Sequence, residues 1–249
     1  MTVYFIGAGP GAADLITVRG RRVIESSPVC LYAGSLVPDE LLTHCPAGAR
    51  RVDTARMNLD EIIAELVAAH QRGEDVARLH SGDTAIYSAM AEQMRRLDAA
   101  DVPYEVVPGV PSFSAAAAIL GRELTVPGVS QSVVISRVST LSTSMPPGED
   151  LATLGRSGAT LVLLLAAAQI DTVVAELAPN YGPDCPVAVV AYATRPGEQV
   201  VRATVSTIAP ALKAAGITKT AVIIVGKVLA AEEFPDSYLY SAARERCDH

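Results

Sequence analysis

Short apolar runs alternate with helical patterns through the first half of the chain, and this alternation restricts the fold more than any other feature. The predicted strands are Val3–Ile6, Val29–Tyr32, Val76–Leu79 and Tyr104–Val107. The helical stretches between them are Leu15–Ser26, Leu59–Arg72 and Ser88–Leu97. Strands that are separated by helices form βαβ units, so we predict an α/β domain with a mostly parallel sheet.

A second set of elements follows Pro127 and Gly128, which are typical of a joint between domains. Its predicted strands are Ser132–Ser136, Thr160–Leu165, Val187–Tyr192, Gln199–Thr204 and Ala221–Val225, and its predicted helices are Leu151–Arg156, Ile170–Leu177 and Ile208–Ala215. The short "ATRPGE" connection favours an antiparallel hairpin, which makes the second sheet mixed. We therefore predict two α/β domains, 1–118 and 119–249, with a ligand cleft between them.

Composition excludes some classes of partner. The formal net charge is −7 and only 4% of the residues are aromatic, which disfavours nucleic acid because its binders carry basic surfaces and stacking rings. Neither an export signal nor an apolar run long enough to span a membrane is visible. Cys30, Cys45, Cys185 and Cys247 have no metal-ligand spacing. These features predict a cytoplasmic protein with reduced thiols, no metal site and no membrane partner.

The opening stretch "VYFIGAGPGAADLITVRG" raises the question of dinucleotide binding. Gly7, Gly9 and Ala12 loosely satisfy the glycine pattern of a Rossmann turn. The second strand, however, ends at Ala33 and Gly34 without the carboxylate that would hold a ribose. Pro10 also removes a backbone donor that a diphosphate would use. On the residues alone, a nicotinamide site and a tight turn that needs glycine only for its geometry both stay open.

Three motifs in sequence order resemble the tetrapyrrole (corrin and porphyrin) methylase family. They are "YFIGAGPGAADLITVRG", "ARLHSGDTAIYSAMAEQM" and "YEVVPGVPSFSAAAAILGRELT", and the closing "AVIIVGKV" extends the likeness over most of the chain. The resemblance implies a class III-type methyltransferase fold, a homodimer, and S-adenosylmethionine bound in the cleft. It also implies that the glycine turn faces a tetrapyrrole and does not cradle a diphosphate.

The resemblance carries over nine cofactor-binding positions. They are Pro10, Gly82, Asp83, Ile86, Ser112, Phe113, Leu165, Ala193 and Thr220. Two of them have a second interpretation from pattern alone. Asp83 is typical of the N-cap of a helix over Thr84–Met94, and Leu165 is typical of core.

A tetrapyrrole with acidic side chains calls for arginine, whose fork pairs with carboxylates. The candidate substrate-binding residues are Ser35, Arg51, Arg56, Tyr87 and Arg137, with Arg51 and Arg56 expected in the loop before the second helix. Ser35 could instead cap a helix, and Tyr87 could merely pack. Arg19, Arg21 and Arg22 are interpreted as a solvated helix face.

Two departures from the family pattern bear on the site. Thr84 stands where relatives have proline after Gly82 and Asp83, which leaves the tight turn intact. Ser136–Ser144 is poor in arginine where relatives commonly carry it, which leaves the substrate side less defined. The segments "LYAGSLVPDELL", "ARMNLDEI" and "MPPGEDL" are nevertheless similar to the branch of the family that methylates a corrin precursor on the route to cobalamin.

Methyl transfer from a sulfonium is an in-line displacement by an already activated donor, so the protein has mainly to align the reactants and exclude water. We assign no catalytic acid, base or metal, since the four histidines lack metal spacing and no triad can be assembled. Five alternatives stay open: methylation of a cobalt-bearing corrin precursor on the anaerobic route, a nicotinamide oxidoreductase, a non-catalytic binding module, a uroporphyrinogen III methyltransferase, and a methyltransferase with a protein acceptor, as in diphthamide synthesis.

Overall fold

The computed structural model describes residues 1–139 and 144–238, and for Ser35 it describes the backbone only. The chain divides into two compact units, Met1–Ala115 and Ala116–His249. The division falls inside a helix, three residues before the boundary at 118 that was expected from the sequence. Each unit contains one five-stranded sheet.

The first unit is built on a parallel sheet. Its strands are β1 (Val3–Gly7), β2 (Val29–Tyr32), β3 (Arg50–Asp53), β4 (Val76–His80) and β5 (Tyr104–Val107). They lie in the order β3-β2-β4-β1-β5, and every neighbouring pair is parallel. All five carboxyl ends therefore lie at one edge of the sheet, where α/β proteins bind ligands.

Apolar clusters cover both faces of this sheet. Its helices are α1 (Val18–Ser26), α2 (Asp39–Leu42), α3 (Leu59–Gln71) and α4 (Ala91–Asp98), and α5 (Ser112–Leu120) follows β5 across the division. Ala77 and Leu79 of β4 pack with Ile24 of α1 in one cluster, whereas Val76 packs with Leu66 of α3 in the other. This split follows from the alternation of side chains along a strand.

The second unit contains a mixed sheet. Its strands are β6 (Val133–Ser136), β7 (Thr160–Leu163), β8 (Pro186–Ala191), β9 (Gln199–Thr204) and β10 (Ala221–Val225), in the order β6-β7-β10-β8-β9. β6 and β7 are parallel, and the remaining pairs are antiparallel. β10, the last strand in the sequence, therefore occupies the centre of the sheet.

Three helices accompany the second sheet: α6 (Leu151–Leu154), α7 (Ile170–Tyr181) and α8 (Ile208–Ala214). Leu177 of α7 and Leu212 of α8 are buried with Leu161, Val189 and Ile223 from the three central strands. Among the described residues no helix combines the length and the apolar character needed to cross a bilayer.

The α/β class, the parallel first sheet and the mixed second sheet with its hairpin of β8 and β9 are confirmed. Two details were wrong. β3 was assigned to a loop, because "RRVD" contains one apolar residue; an edge strand that is largely exposed has no need of more. The helix after β4 begins at Ala91, and not at Thr84 or Ser88, because residues 83–90 form an irregular loop.

Candidate functional site

Four glycines lock together the loops that follow β4, β1 and β5. Gly9 donates its N–H to the carbonyl of Gly82 (N to O, 3.1 Å), and Gly82 donates to the carbonyl of Gly9 (2.8 Å). A Cβ on Gly109 would lie 2.2 Å from the carbonyl oxygen of Gly82 and 2.7 Å from the Cα of Gly7. Gly7 and Gly109 therefore allow the backbones to touch, because a side chain at either position would collide with its neighbours.

This contact also decides the role of the glycine turn after β1. The N–H of Ala8 donates to the carbonyl of His80 (2.7 Å), and that of Gly9 is bound to Gly82. Pro10 has no N–H. A diphosphate needs free N–H groups at such a turn, and these three positions offer none, which favours packing between loops over dinucleotide binding.

Asp83 ties the same loops together through its side chain. One carboxylate oxygen accepts the N–H of Ala85 (2.9 Å), and the other accepts the N–H of Gly109 (2.7 Å). The interpretation of Asp83 as the N-cap of a helix from Thr84 was wrong, since no helix begins there and the local bond to Ala85 forms a turn. A carboxylate that accepts two N–H bonds holds its loop firmly and still has lone pairs for a ligand.

The candidate cofactor residues of the first unit lie on these joined loops. Pro10 follows β1, Gly82, Asp83 and Ile86 follow β4, and Ser112 and Phe113 follow β5 at the start of α5. Pro10 and Gly82 are buried, and the other four are half-buried. β4, β1 and β5 are adjacent in the sheet, so the fold places these six residues at one edge.

The candidates of the second unit also share one edge of their sheet. Leu165 follows β7, Ala193 follows β8, and Thr220 precedes β10, which runs antiparallel to both strands. The carbonyl of Thr220 accepts the N–H of Tyr192 (2.9 Å), which fixes the loop after β8 against the start of β10. Arg137 follows β6 at the same edge, because β6 is parallel to β7.

Backbone strain is concentrated at several of these positions. Leu165 has a φ of 56°, Thr220 of 51°, and Tyr87 of 50°. Ala193 lies between Tyr192 and Thr194, which also have positive φ (52° and 61°). Residues with side chains rarely adopt this conformation, and it occurs most often at functional sites. Leu165 is in addition 69% exposed, which contradicts its alternative interpretation as core.

The candidate substrate residues occupy different kinds of position. Arg51 lies on β3, and Arg56 lies in the loop that follows it, so the expectation that both lie in a loop was wrong for Arg51. Both are exposed. Arg137 donates from Nη1 to the carbonyl of Val138 (3.1 Å) and from Nη2 to that of Ser144 (3.3 Å). Tyr87 is exposed, and the side chain of Ser35 lies outside the described residues.

Arg51 has a further neighbour in a buried thiol. The Cys45 thiol accepts a hydrogen bond from Cys30, which together with the Arg51 charge lowers the Cys45 pKa to about 7. The same contact and burial raise the pKa of Cys30. Within 1–139 and 144–238 no cluster of three His, Cys, Asp or Glu side chains could hold a metal ion.

Two residues that the sequence interpretation missed lie on β4 next to the joined loops. Arg78 and His80 are only 4% and 5% exposed. Burial lowers the pKa of Arg78 to about 10. Burial, followed by the Arg78 charge, lowers the pKa of His80 to about 4, so His80 is neutral at pH 7. The available signal was an arginine inside the predicted strand Val76–Leu79 and a histidine directly after it, because the inner strands of parallel sheets are buried on both faces.

The chain is similar to known proteins over most of its length. A family model described as tetrapyrrole (corrin/porphyrin) methylases matches residues 2–209. The precorrin-4 C(11)-methyltransferase of Rhodococcus erythropolis is 70% identical over 249 residues, which is 100% of both chains. The solved structure of a cobalt precorrin-4 methyltransferase of cobalamin biosynthesis has a TM-score of 0.89 at 39% identity, covering 92% of this chain and 95% of that chain. A uroporphyrin-III C-methyltransferase from Thermus thermophilus, solved with S-adenosyl homocysteine, has a TM-score of 0.76 at 29% identity, covering 92% and 99%.

Proposed function

Because the chain belongs to the tetrapyrrole (corrin/porphyrin) methylase family, we propose that it transfers a methyl group from S-adenosylmethionine to C11 of precorrin-4, giving precorrin-5 in cobalamin biosynthesis. The observation that carries the choice of acceptor is the 70% identity, over the full length of both chains, with a precorrin-4 C(11)-methyltransferase. The cobalt-bearing precorrin is the second candidate acceptor, supported by a structure at 39% identity. Uroporphyrinogen III is the third candidate acceptor, because the uroporphyrin-III C-methyltransferase from Thermus thermophilus is 29% identical to this chain.

Nine residues are proposed to bind the methyl donor. In the first unit they are Pro10, Gly82, Asp83, Ile86, Ser112 and Phe113, and in the second unit Leu165, Ala193 and Thr220. A likeness to a structure solved with S-adenosyl homocysteine supports this donor. The residues suit it chemically, because Asp83 keeps lone pairs for an ammonium group and the exposed Leu165 offers apolar surface to an adenosine ring.

The donor supplies a methyl group on a sulfonium, so the protein residues need only position it and keep water away. The loops joined through Gly9, Gly82 and Gly109 give the first unit a rigid edge for this purpose. The strained backbone at Leu165 and Thr220 fixes the direction of those side chains in the second unit. We assign no residue to proton transfer, since an electron-rich ring carbon is itself the nucleophile.

The acidic side chains of the tetrapyrrole are proposed to meet Arg51, Arg56 and Arg137, with Ser35 and Tyr87 contacting the macrocycle. Arg56 carries this proposal best, because it is exposed and makes no hydrogen bond or ion pair within the described residues. Arg137 is less free, because its guanidinium already donates to two carbonyls. Homodimerisation and a cytoplasmic location stay predictions, and light scattering after size-exclusion chromatography would test the first.

Mass spectrometry of the products tests the proposed reaction. Pure protein is incubated with S-adenosylmethionine and, in parallel, with enzymatically generated precorrin-4, its cobalt complex, or uroporphyrinogen III. We expect one added methyl on precorrin-4, with little or none on uroporphyrinogen III. Preferential methylation of the cobalt complex would replace the acceptor, and methylation of uroporphyrinogen III alone would move the chain to another branch of the family. No transfer to any of the three would refute the proposal.

A further inference from the structure

Arg78 is a buried cation that lacks an anionic partner among the described residues. Its Nε donates to Oε1 of Gln93 (3.2 Å), and its Nη1 donates to Oγ1 of Thr54 (3.0 Å). Both acceptors are uncharged, and no carboxylate of the described chain forms an ion pair with it. Nη2 makes no hydrogen bond within the same residues. A buried charge without a partner is costly, so proteins rarely keep one unless a ligand completes it.

The side chain lines a cavity of about 280 Å³ at the carboxyl end of β4. The apolar part of the lining comes from Leu36, Leu59 and Ile62, and from Ala33 and Ala89. The titratable side chains that face the cavity, besides Arg78 and His80, are Glu92 of α4 and Tyr87. A single cation beside an apolar wall suits a carboxylate on a short alkyl stem better than a phosphate, which would need more donors.

His80 adds an acceptor without a partner to the same cavity. Its Nδ1 lies 3.0 Å from the carbonyl oxygen of Ser88, and a carbonyl can only accept, so Nδ1 carries the proton. Nε2 is then a bare acceptor, and it is a buried polar atom with no hydrogen-bond partner. Buried polar atoms are normally satisfied, and Nε2 can become a donor to a carboxylate only by taking up a proton.

We propose that Arg78 and His80 form a buried subsite for one alkyl carboxylate side chain of the substrate. The inference rests on the proposed function, which supplies an acceptor with such side chains. The carboxylate pairs with the free Nη2 of Arg78, while the stem lies against Leu36, Leu59 and Ile62. Bound next to His80, the anion offsets the Arg78 charge, which is the second cause that lowers the His80 pKa, so this pKa rises on binding.

Binding of uroporphyrin III, a stable tetrapyrrole with acidic side chains, tests the subsite without turnover. The variants are Arg78→Gln, which removes the charge, Arg78→Lys, which keeps it, and Arg50→Gln as a matched control on β3, where Arg50 pairs with Glu65 on the surface. We expect Arg78→Gln to weaken uroporphyrin binding at least about tenfold, as the loss of a desolvated charge pair does. Arg78→Lys should recover part of the loss, and S-adenosyl homocysteine should bind all variants with similar affinity.

A nitrogen NMR signal gives a second measurement that a purely structural role would not move. The chain has four histidines, so His80→Gln assigns the His80 ring in long-range proton–nitrogen spectra. Uroporphyrin should raise the pH at which Nε2 of His80 takes up its proton in the wild type. If Arg78→Gln does not fold, this titration decides alone: an unchanged pH of Nε2 protonation in the ligand-saturated wild type would overturn the subsite. Unaltered uroporphyrin affinity in a folded Arg78→Gln would do so too.

The two proposals fail separately. If the wild type binds uroporphyrin through Arg78 but transfers no methyl group to precorrin-4, the proposed function is wrong and the carboxylate subsite stands. If the wild type methylates precorrin-4 and Arg78→Gln leaves its KM unchanged, the reaction stands and the subsite is wrong. Support for both requires a raised KM for precorrin-4, with the KM for S-adenosylmethionine unchanged.

Discussion

The two sheets present their candidate residues in physically different ways. At the edge of the first sheet, three loops touch through glycine backbones, and Asp83 closes the contact. At the edge of the second sheet, Leu165 and Thr220 are exposed side chains on strained backbone, whereas Ala193 is buried. The first edge is thus held by close packing, which cannot tolerate added atoms, whereas the second stores strain that a substitution can release.

The largest effect is expected where the loops of the first sheet are closest. A Cβ at Gly109 would lie 2.2 Å from a carbonyl oxygen, so Gly109→Ala should destabilise the protein by about 3 kcal/mol or more. Gly73→Ala is the control, because Gly73 has a φ of 72° with no atom near its absent Cβ and should cost only about 1 kcal/mol. Urea unfolding measures the stability of both variants. Equal losses of stability would show that the close approach at Gly109 costs no more than the positive φ at Gly73.

The two units should also differ in how much stability they lose in acid. Arg78 and His80 are buried in the first unit, whereas the buried polar residues described in the second are the uncharged Ser136 and Thr160. The pKa of folded His80 is about 4, below its ordinary 6.5, so its stabilising contribution is complete above pH 6.5 and is lost as the pH falls towards 4. Between pH 7 and pH 5 this loss is about 2 kcal/mol.

The variant His80→Gln should lose less stability than the wild type over that interval. His70→Gln, on α3 of the same unit, serves as the matched control for the loss of an imidazole. Urea midpoints at the two pH values measure the difference. A wild-type pH response that persists in His80→Gln would show that other groups dominate acid unfolding.

Asp83→Asn tests whether the Asp83 side chain stabilises the loops at the edge of the first sheet. The amide nitrogen of asparagine cannot accept, so the N–H of Ala85 or of Gly109 loses its acceptor, at a cost of about 1.5 kcal/mol. Asp53→Asn is the control, since Asp53 bonds only locally to the N–H of Ala55 and should change stability by about 0.5 kcal/mol or less. Titration calorimetry with S-adenosyl homocysteine should show weaker binding for Asp83→Asn alone. Unchanged affinity would leave Asp83 a structural role only.

The smallest effect, and one of opposite sign, is expected at the second edge. Thr220→Gly releases the strain of a β-branched residue at a φ of 51°, so stability should rise by about 1 kcal/mol or less. Lys219→Gly next to it has no such strain to release and should destabilise. If Thr220 contacts the donor, affinity for S-adenosyl homocysteine falls while stability rises. Loss of stability in Thr220→Gly would contradict the idea of stored strain.

Most of the strands and helices could be predicted because they have a local signal in the sequence. The hairpin of β8 and β9, for example, follows from a short turn between β-branched runs. β3 had no such signal, since an exposed edge strand needs few apolar residues. The non-helical loop after Asp83 was also missed, because the bond from Gly109 to Asp83 joins residues 26 positions apart.

The residues of the candidate site likewise differ in whether the sequence could predict them. Position in the chain, read through the family motifs, was enough to place Asp83 and Thr220 at sheet edges. For Arg78 the sequence offered only the unusual place of an arginine in a strand, because the lack of a charged partner is a property of the tertiary structure. The strain at Leu165 could not be predicted either, since nothing in its neighbours requires a positive φ.

The central place of β10 has a consequence for synthesis on the ribosome. The first sheet is complete once residue 107 has emerged, so its parallel strands can pair while the rest of the chain is still being made. The second sheet must leave a gap between β7 and β8 until Ala221–Val225 arrives to fill it. Before then two apolar strands have unpaired edges that invite association with other chains. In a stalled or shortened nascent chain, the strands of the first sheet would therefore all be present and able to pair. The strand edges prone to aggregation would be those of the second unit.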